Sequence, residues 1–169
     1  MNSSIAPIVR VAGGARLLAA LALGVFAGGM LTEGCVLVPL WQSLKSGDFL
    51  AWYATHGQRL HAFFSPLTSA AALLAVVAAV LSYPERRRTR LLTLAAAGFA
   101  LAAVATFFVY FKDANASFAR GNMHVDQVGP ELTRWGTWHG WRTALVFTSA
   151  TLSLLALRVG SAETSTPRS

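Results

Sequence analysis

Two groups of side chains in this sequence could do chemistry, and they lie far apart along the chain. Glu33 stands in GGMLTEGCVLVPLW, a carboxyl inside an apolar run that continues for about eight residues beyond it. At 1.5 Å per residue it lies roughly 12 Å inward from the end of that run. An acidic or basic residue at the centre of a membrane helix costs about 2.5–3.5 kcal/mol on insertion scales. Glu33 must therefore carry a proton, or turn inward and find a partner. The second group is RWGTWHGWR, in which Trp135, His139 and Arg142 recur at spacings of four and three and share one helical face. Trp138 and Arg142 are also four apart. An imidazole, with an unperturbed pKa near 6.5, can take and return a proton near neutral pH. A guanidinium can hold an anionic or carbonyl oxygen. Each group also has a purely structural use: Arg142 can snorkel, the tryptophans can anchor at the headgroups, and Glu33 can bond another helix.

The remaining polar groups extend the same theme. His56, His61, His124 and His139 all fall on one side of the membrane in the arrangement argued below, the side nearest Glu33. Histidine and glutamate can ligate transition metals. His56 and His61, however, are five apart, about 140° around a helix, and the chain has no HxxxH or ExxH. No cofactor is expected, and a transition metal on His and Glu is kept as the alternative. Phe107, Phe108, Tyr110 and Phe111 crowd one segment end, with Asn115 one turn further if the helix continues. Aromatics with a few convergent polar groups describe a small-molecule pocket, and equally an interfacial belt.

The elements that must position these groups are membrane helices. Of the 169 residues, 54% are hydrophobic and 12% charged, about half the charged fraction usual in soluble domains. Apolar segments at about 15–41, 60–83, 91–111 and 141–159 each approach the roughly 20 residues that span a hydrocarbon core of about 30 Å. They are too long for strands, and a backbone in lipid must satisfy its own hydrogen bonds. A cleaved signal peptide built on Arg10, Arg16 and Leu17–Phe26 is the competing reading of the first segment. The apolar run continues to Leu40, past any small-residue cleavage site, which favours an uncleaved helix.

Arginines set the expected orientation. Arg86, Arg87, Arg88 and Arg90 lie in one short loop, and Arg10, Arg16, Arg158 and Arg168 flank the termini. The positive-inside rule puts both termini and this loop in the cytoplasm, here of a bacterial inner membrane. The net charge of +7 is thereby explained by lipid rather than nucleic acid. The expected fold is an all-α, integral membrane four-helix bundle, up-down-up-down, with residues 1–14 a cytoplasmic segment, 15–159 the membrane domain and 160–169 a mobile polar tail. Gly24 and Gly28 form a GxxxG, and alanines thin the second helix, for packing within the bundle or on a homo-oligomer face. Pro66 should disrupt the early part of helix two and free a carbonyl near Ala62. A single cysteine, Cys35, excludes an internal disulfide.

With these features in view, the chain resembles the anthrone oxygenase-like integral membrane family. The resemblance rests on the acidic residue in a first helix ending VLVPLW, the Pro66-interrupted second helix, Asn115 after the third, and W..WH..R at Trp135, Trp138, His139 and Arg142. It covers about Leu17 to Leu157. Lys112-Asp113-Ala114 precede the asparagine where the family pattern has a proline. The resemblance implies a four-helix membrane bundle and, as in some members, oxidation of anthrones to anthraquinones without a conventional flavin or haem. On that reading His139 is the base, Arg142 stabilises an oxyanion, Glu33 orients the base or holds a proton, and Asn115 bonds a carbonyl. Trp135, Trp138, His61 and Phe111 would line a small hydrophobic substrate. The alternative is a non-catalytic module binding a ligand, lipid or partner protein, with Glu33–Arg142 as a structural pair.

Overall fold

The structure, a computed structural model, describes residues 5–121 and 123–165, with side chains described from 10 to 121 and from 123 to 162. Everything regular in it is helical. The first rod is α1 (Ile5–Thr32), a π-helical turn (Glu33–Leu37) and α2 (Val38–Ser43). The second is α3 (Ser46–Leu81). The third is α4 (Arg87–Thr106), a second π-helical turn (Phe107–Phe111) and α5 (Lys112–Arg120). The fourth is α6 (Val125–Ser165). All four rods are long and apolar enough to cross a membrane.

Each rod packs on the rods before and after it, and the fourth closes against the first. Neighbours run in opposite directions: Arg16 meets Ser82 while Gly29 meets Phe64, and Ser149 meets Ala96 while Trp135 meets Asn115. The short links 44–45, 82–86 and 121–124 require this. Gly121, at φ 62°, ends α5 in the left-handed conformation that glycine adopts without strain.

The helices run well past the apolar segments. Residues 46–59 and 112–120, expected as loops, are helical, and α6 begins at Val125 rather than near Trp141. His56 and His61 therefore sit within a helix instead of opening one, and so does His139. At the ends, helix covers 5–14 and 160–165 as well, so the expected polar tail is helical as far as Ser165. Residues 1–4 and 166–169 lie outside the described residues. The reason is packing: α6, at 41 residues, is roughly 60 Å long, about twice a hydrocarbon core. Its outer half is held by a separate core.

That core defines two tiers. The first is thin and alanine-rich, with Leu23, Phe26, Met30, Ala71, Ala75, Ala100, Ala103 and Val146 buried together. The second is aromatic: Trp41, Phe49, Tyr53, Tyr110, Phe111, Phe118 and Trp135 interlock, mostly edge to face. Small residues let helices approach in lipid, whereas burial of large rings drives packing where water is present. The exposed faces around the aromatic tier carry Asp48, Arg59, Lys112, Asp113, Arg120 and Arg134. Gly24 and Gly28 take no part in either core, since they are exposed and an added Cβ would meet nothing within 4 Å.

Both π-helical turns lie at the junction of the tiers. Pro39 explains the first: it has no N–H to offer the carbonyl four residues back, and its ring would strike it. The helix widens by one residue, and the Val38 N–H reaches the Glu33 carbonyl. In the second, the Thr106 hydroxyl donates to the Ala103 carbonyl at 2.7 Å just before the turn, competing with the regular ladder. Pro66, by contrast, is accommodated inside a continuous α3.

Candidate functional site

A cavity of about 510 Å³ opens at the tier junction between α3 and the 104–119 stretch. Its exposed lining residues, among them Gln58, His61, Ser65, Phe108 and Lys112, form the mouth. Its buried lining residues, Glu33, Tyr53, Gly57, Thr68, Trp135 and Arg142, form the deep end. Phe64 and Phe107 add half-buried apolar walls.

Glu33 is placed there by the π-helical turn that it opens. Behind it lies His139, 4% exposed and absent from the cavity lining. Its Nδ1 is 3.5 Å from Glu33 Oε2, close but not aligned as a hydrogen bond. The other ring nitrogen, Nε2, is 3.0 Å from the Met30 carbonyl oxygen. A carbonyl only accepts, so Nε2 carries a hydrogen and Nδ1 is the nitrogen that faces the carboxyl. Thr143 Oγ1, 3.3 Å from Nε2, offers a second acceptor. Trp135 stacks on the imidazole with centroids 5.2 Å apart and planes 8° from parallel, which fixes the ring's tilt. The result is a carboxyl facing the cavity with an oriented imidazole behind it.

Arg142 occupies the other side of the deep end. It donates to Thr68 Oγ1 at 3.3 Å and lies over the rings of Phe26 and Phe111, at 5.6 and 5.2 Å. The expected Glu33–Arg142 ion pair is not formed: among the described residues no carboxylate comes within 4.0 Å of this guanidinium. The rings clasp it in place and hold its reach toward α3, while the carboxyl turns to His139.

Of the other expected residues, Asn115 and Trp135 line the cavity joined to each other, the indole Nε1 donating to Asn115 Oδ1 at 2.8 Å. His61 lines the mouth and stacks on Phe107 at 6.1 Å. Phe111, fully buried, supports Trp135 and Arg142 from behind. Trp138 points away and stacks on Tyr110, whose hydroxyl donates to Glu131. The four histidines share this end of the bundle but form no single cluster. His56 stacks on Trp52 and meets its carbonyl, and His124 is exposed beside Asp126. No group of three His, Cys, Asp or Glu able to hold a metal occurs among the described residues.

Several site residues escaped sequence reasoning. Tyr53 and Gly57 fell in a presumed loop, yet on α3 they lie one turn apart, and a Cβ on Gly57 would come within 2.7 Å of the Tyr53 ring. Thr68 and Ser65 were legible as hydroxyls on one face of an apolar helix. Gly34 is a further case, because a Cβ there would lie 3.1 Å from His139 Nε2 and 3.3 Å from its Cδ2. Gly34→Ala is expected to cost about 1–3 kcal/mol by overpacking. Gly24→Ala, which meets open space inside α1, should hold or slightly raise the thermal unfolding temperature in detergent. Equal melting of the two variants would show that the ring is not so confined.

Comparison with protein-family models, with curated proteins and with solved structures gives no match.

Proposed function

We propose that this chain is a membrane-embedded oxygenase of the anthrone oxygenase-like kind, oxidising a small hydrophobic aromatic substrate with molecular oxygen. The observation that carries the reading is the arrangement at the deep end of the cavity, with Glu33 in front, His139 behind and Arg142 beside. The residue pattern at Glu33, Asn115, Trp135, Trp138, His139 and Arg142 supports the family. The rods cross the bilayer up-down-up-down with both termini cytoplasmic, in a bacterial inner membrane. The aromatic tier and cavity mouth then lie on the extracytoplasmic side.

The chemistry needs a substrate whose CH₂ group is acidified by a conjugated carbonyl. Glu33, as carboxylate, removes one proton, and His139 Nδ1 is placed to receive it. The electron pair left behind delocalises onto the substrate oxygen, where Arg142 meets the developing charge. This electron-rich anion reduces oxygen in one-electron steps and forms a C–O bond. The returned proton completes a hydroperoxide, CH–OOH. Loss of the remaining C–H proton with O–O cleavage gives the ketone and water, so CH₂ + O₂ becomes C=O + H₂O. Here the carboxyl touches the substrate, and the imidazole acts through it, the reverse of the order expected from sequence.

Purified protein given an anthrone under air should consume one oxygen per quinone formed. His139→Gln is expected to lower the rate about 10- to 100-fold, because the carboxylate keeps its place but loses its proton acceptor. An anthrone that binds with no oxygen uptake above the uncatalysed rate would sink the oxygenase reading and leave a ligand-binding module.

A further inference from the structure

Arg142 is 7% exposed and lies on the cavity wall, yet its hydrogen bonding is largely unused. A guanidinium carries five N–H donors. Here Thr68 Oγ1 takes one, and Nε has no hydrogen-bond partner among the described residues. Phe26 and Phe111 cover it with ring faces, which attract a cation but cannot accept as an oxygen does. A buried charge in this condition is expensive unless something pairs with it.

Among the described residues no charged group facing the cavity bonds directly to Arg142: the Glu33 carboxylate acts on it only through space. Among the described residues Glu33 is the only carboxyl in the lining, and its Oε2 is turned to His139 Nδ1. Lys112 stands at the mouth and adds a second cation. His61 is neutral or cationic, never anionic. The cavity thus sets two cations, one buried and one at the mouth, against one carboxyl, an excess of one positive charge. Its walls, Phe64, Phe107 and Trp135, suit a flat ring.

We propose that the ligand enters this cavity as an anion: an aromatic body with one ionised oxygen group, carboxylate or phenolate, seated on Arg142. The inference rests on the functional reading of this same cavity and names the class of its substrate. An incoming anion completes the guanidinium's donors and cancels the excess charge. A neutral ring of the same shape does neither.

The test is binding without oxygen, followed by calorimetry on protein in a non-ionic detergent. The probes are 2-naphthoate and its neutral isostere 2-naphthamide. The wild-type chain should bind the naphthoate about 10- to 100-fold more tightly, as expected for hydrogen bonds to a charged group. Arg142→Gln should bring the two affinities together while leaving the naphthamide within about twofold. Arg142→Lys, a second variant in case the glutamine fails to fold, should keep a reduced preference. Equal affinities in the wild type would overturn the proposal. So would a preference that survives Arg142→Gln and disappears only in Lys112→Gln. Because no turnover is read, charge discrimination without oxygen uptake sinks the oxygenase reading alone, and oxygen uptake without discrimination sinks this one alone.

Discussion

If the proposed chemistry holds, Glu33→Gln is expected to lower oxygen uptake with an anthrone by about 10²- to 10⁴-fold, the usual worth of a positioned acid–base group, while substrate binding is not weakened. Glutamine fills the same space at the cavity's deep end but cannot take a proton. It can also still meet the imidazole, so the fold should survive: Glu33 is 5% exposed, and its close neighbour is a ring nitrogen that tolerates an amide donor. The comparison with His139→Gln decides the order of the two groups. A larger loss at position 33 agrees with the carboxyl facing the substrate. A full rate in Glu33→Gln with a collapsed rate in His139→Gln would return the imidazole to the front and overturn the proposed roles. Steady-state oxygen electrode traces with anaerobic binding on the same preparations separate rate from affinity.

The largest stability effect lies at the opposite end of the bundle. Arg16 is 2% exposed, donates to Ser82 Oγ at 3.2 Å and pairs with Glu85 on the link after α3. Gly160 provides the slot, since a Cβ there would come within 2.7 Å of the guanidinium. This one side chain ties the first rod to the 82–86 link and to α6. Arg16→Met should cost about 3 kcal/mol, because it strands a largely buried carboxylate as well as removing a pair. Arg16→Met combined with Glu85→Gln should recover most of that loss. Thermal unfolding of the four proteins in one detergent gives the cycle. Strict additivity of the two single losses would show that the ion pair carries no coupling. Arg16 therefore does more than mark a cytoplasmic flank, which is how its position near the N-terminus reads in the sequence.

Sequence alone determined the class of the molecule and the short list of groups that could act. Apolar runs of membrane length follow from composition, because a chain in lipid must bury its own backbone hydrogen bonds in helices. That Glu33 must turn inward follows from the cost of exposing it to hydrocarbon. That Trp135, His139 and Arg142 share a face follows from 3.6 residues per turn. Helical periodicity fixes directions only around a helix's own axis. It says nothing of the axial offset or rotation of one helix against another. Those were decided by tertiary packing, by the ring stack of Trp135 on His139 and the aromatic tier that extends the rods beyond the apolar band, acting on a helix that the local π-helical turn before Pro39 had already rotated. They put the carboxyl in front of the imidazole, gave Asn115 to Trp135, and turned Trp138 aside onto Tyr110. They also left Arg142 with a hydroxyl in place of the carboxylate that its position in the sequence had suggested.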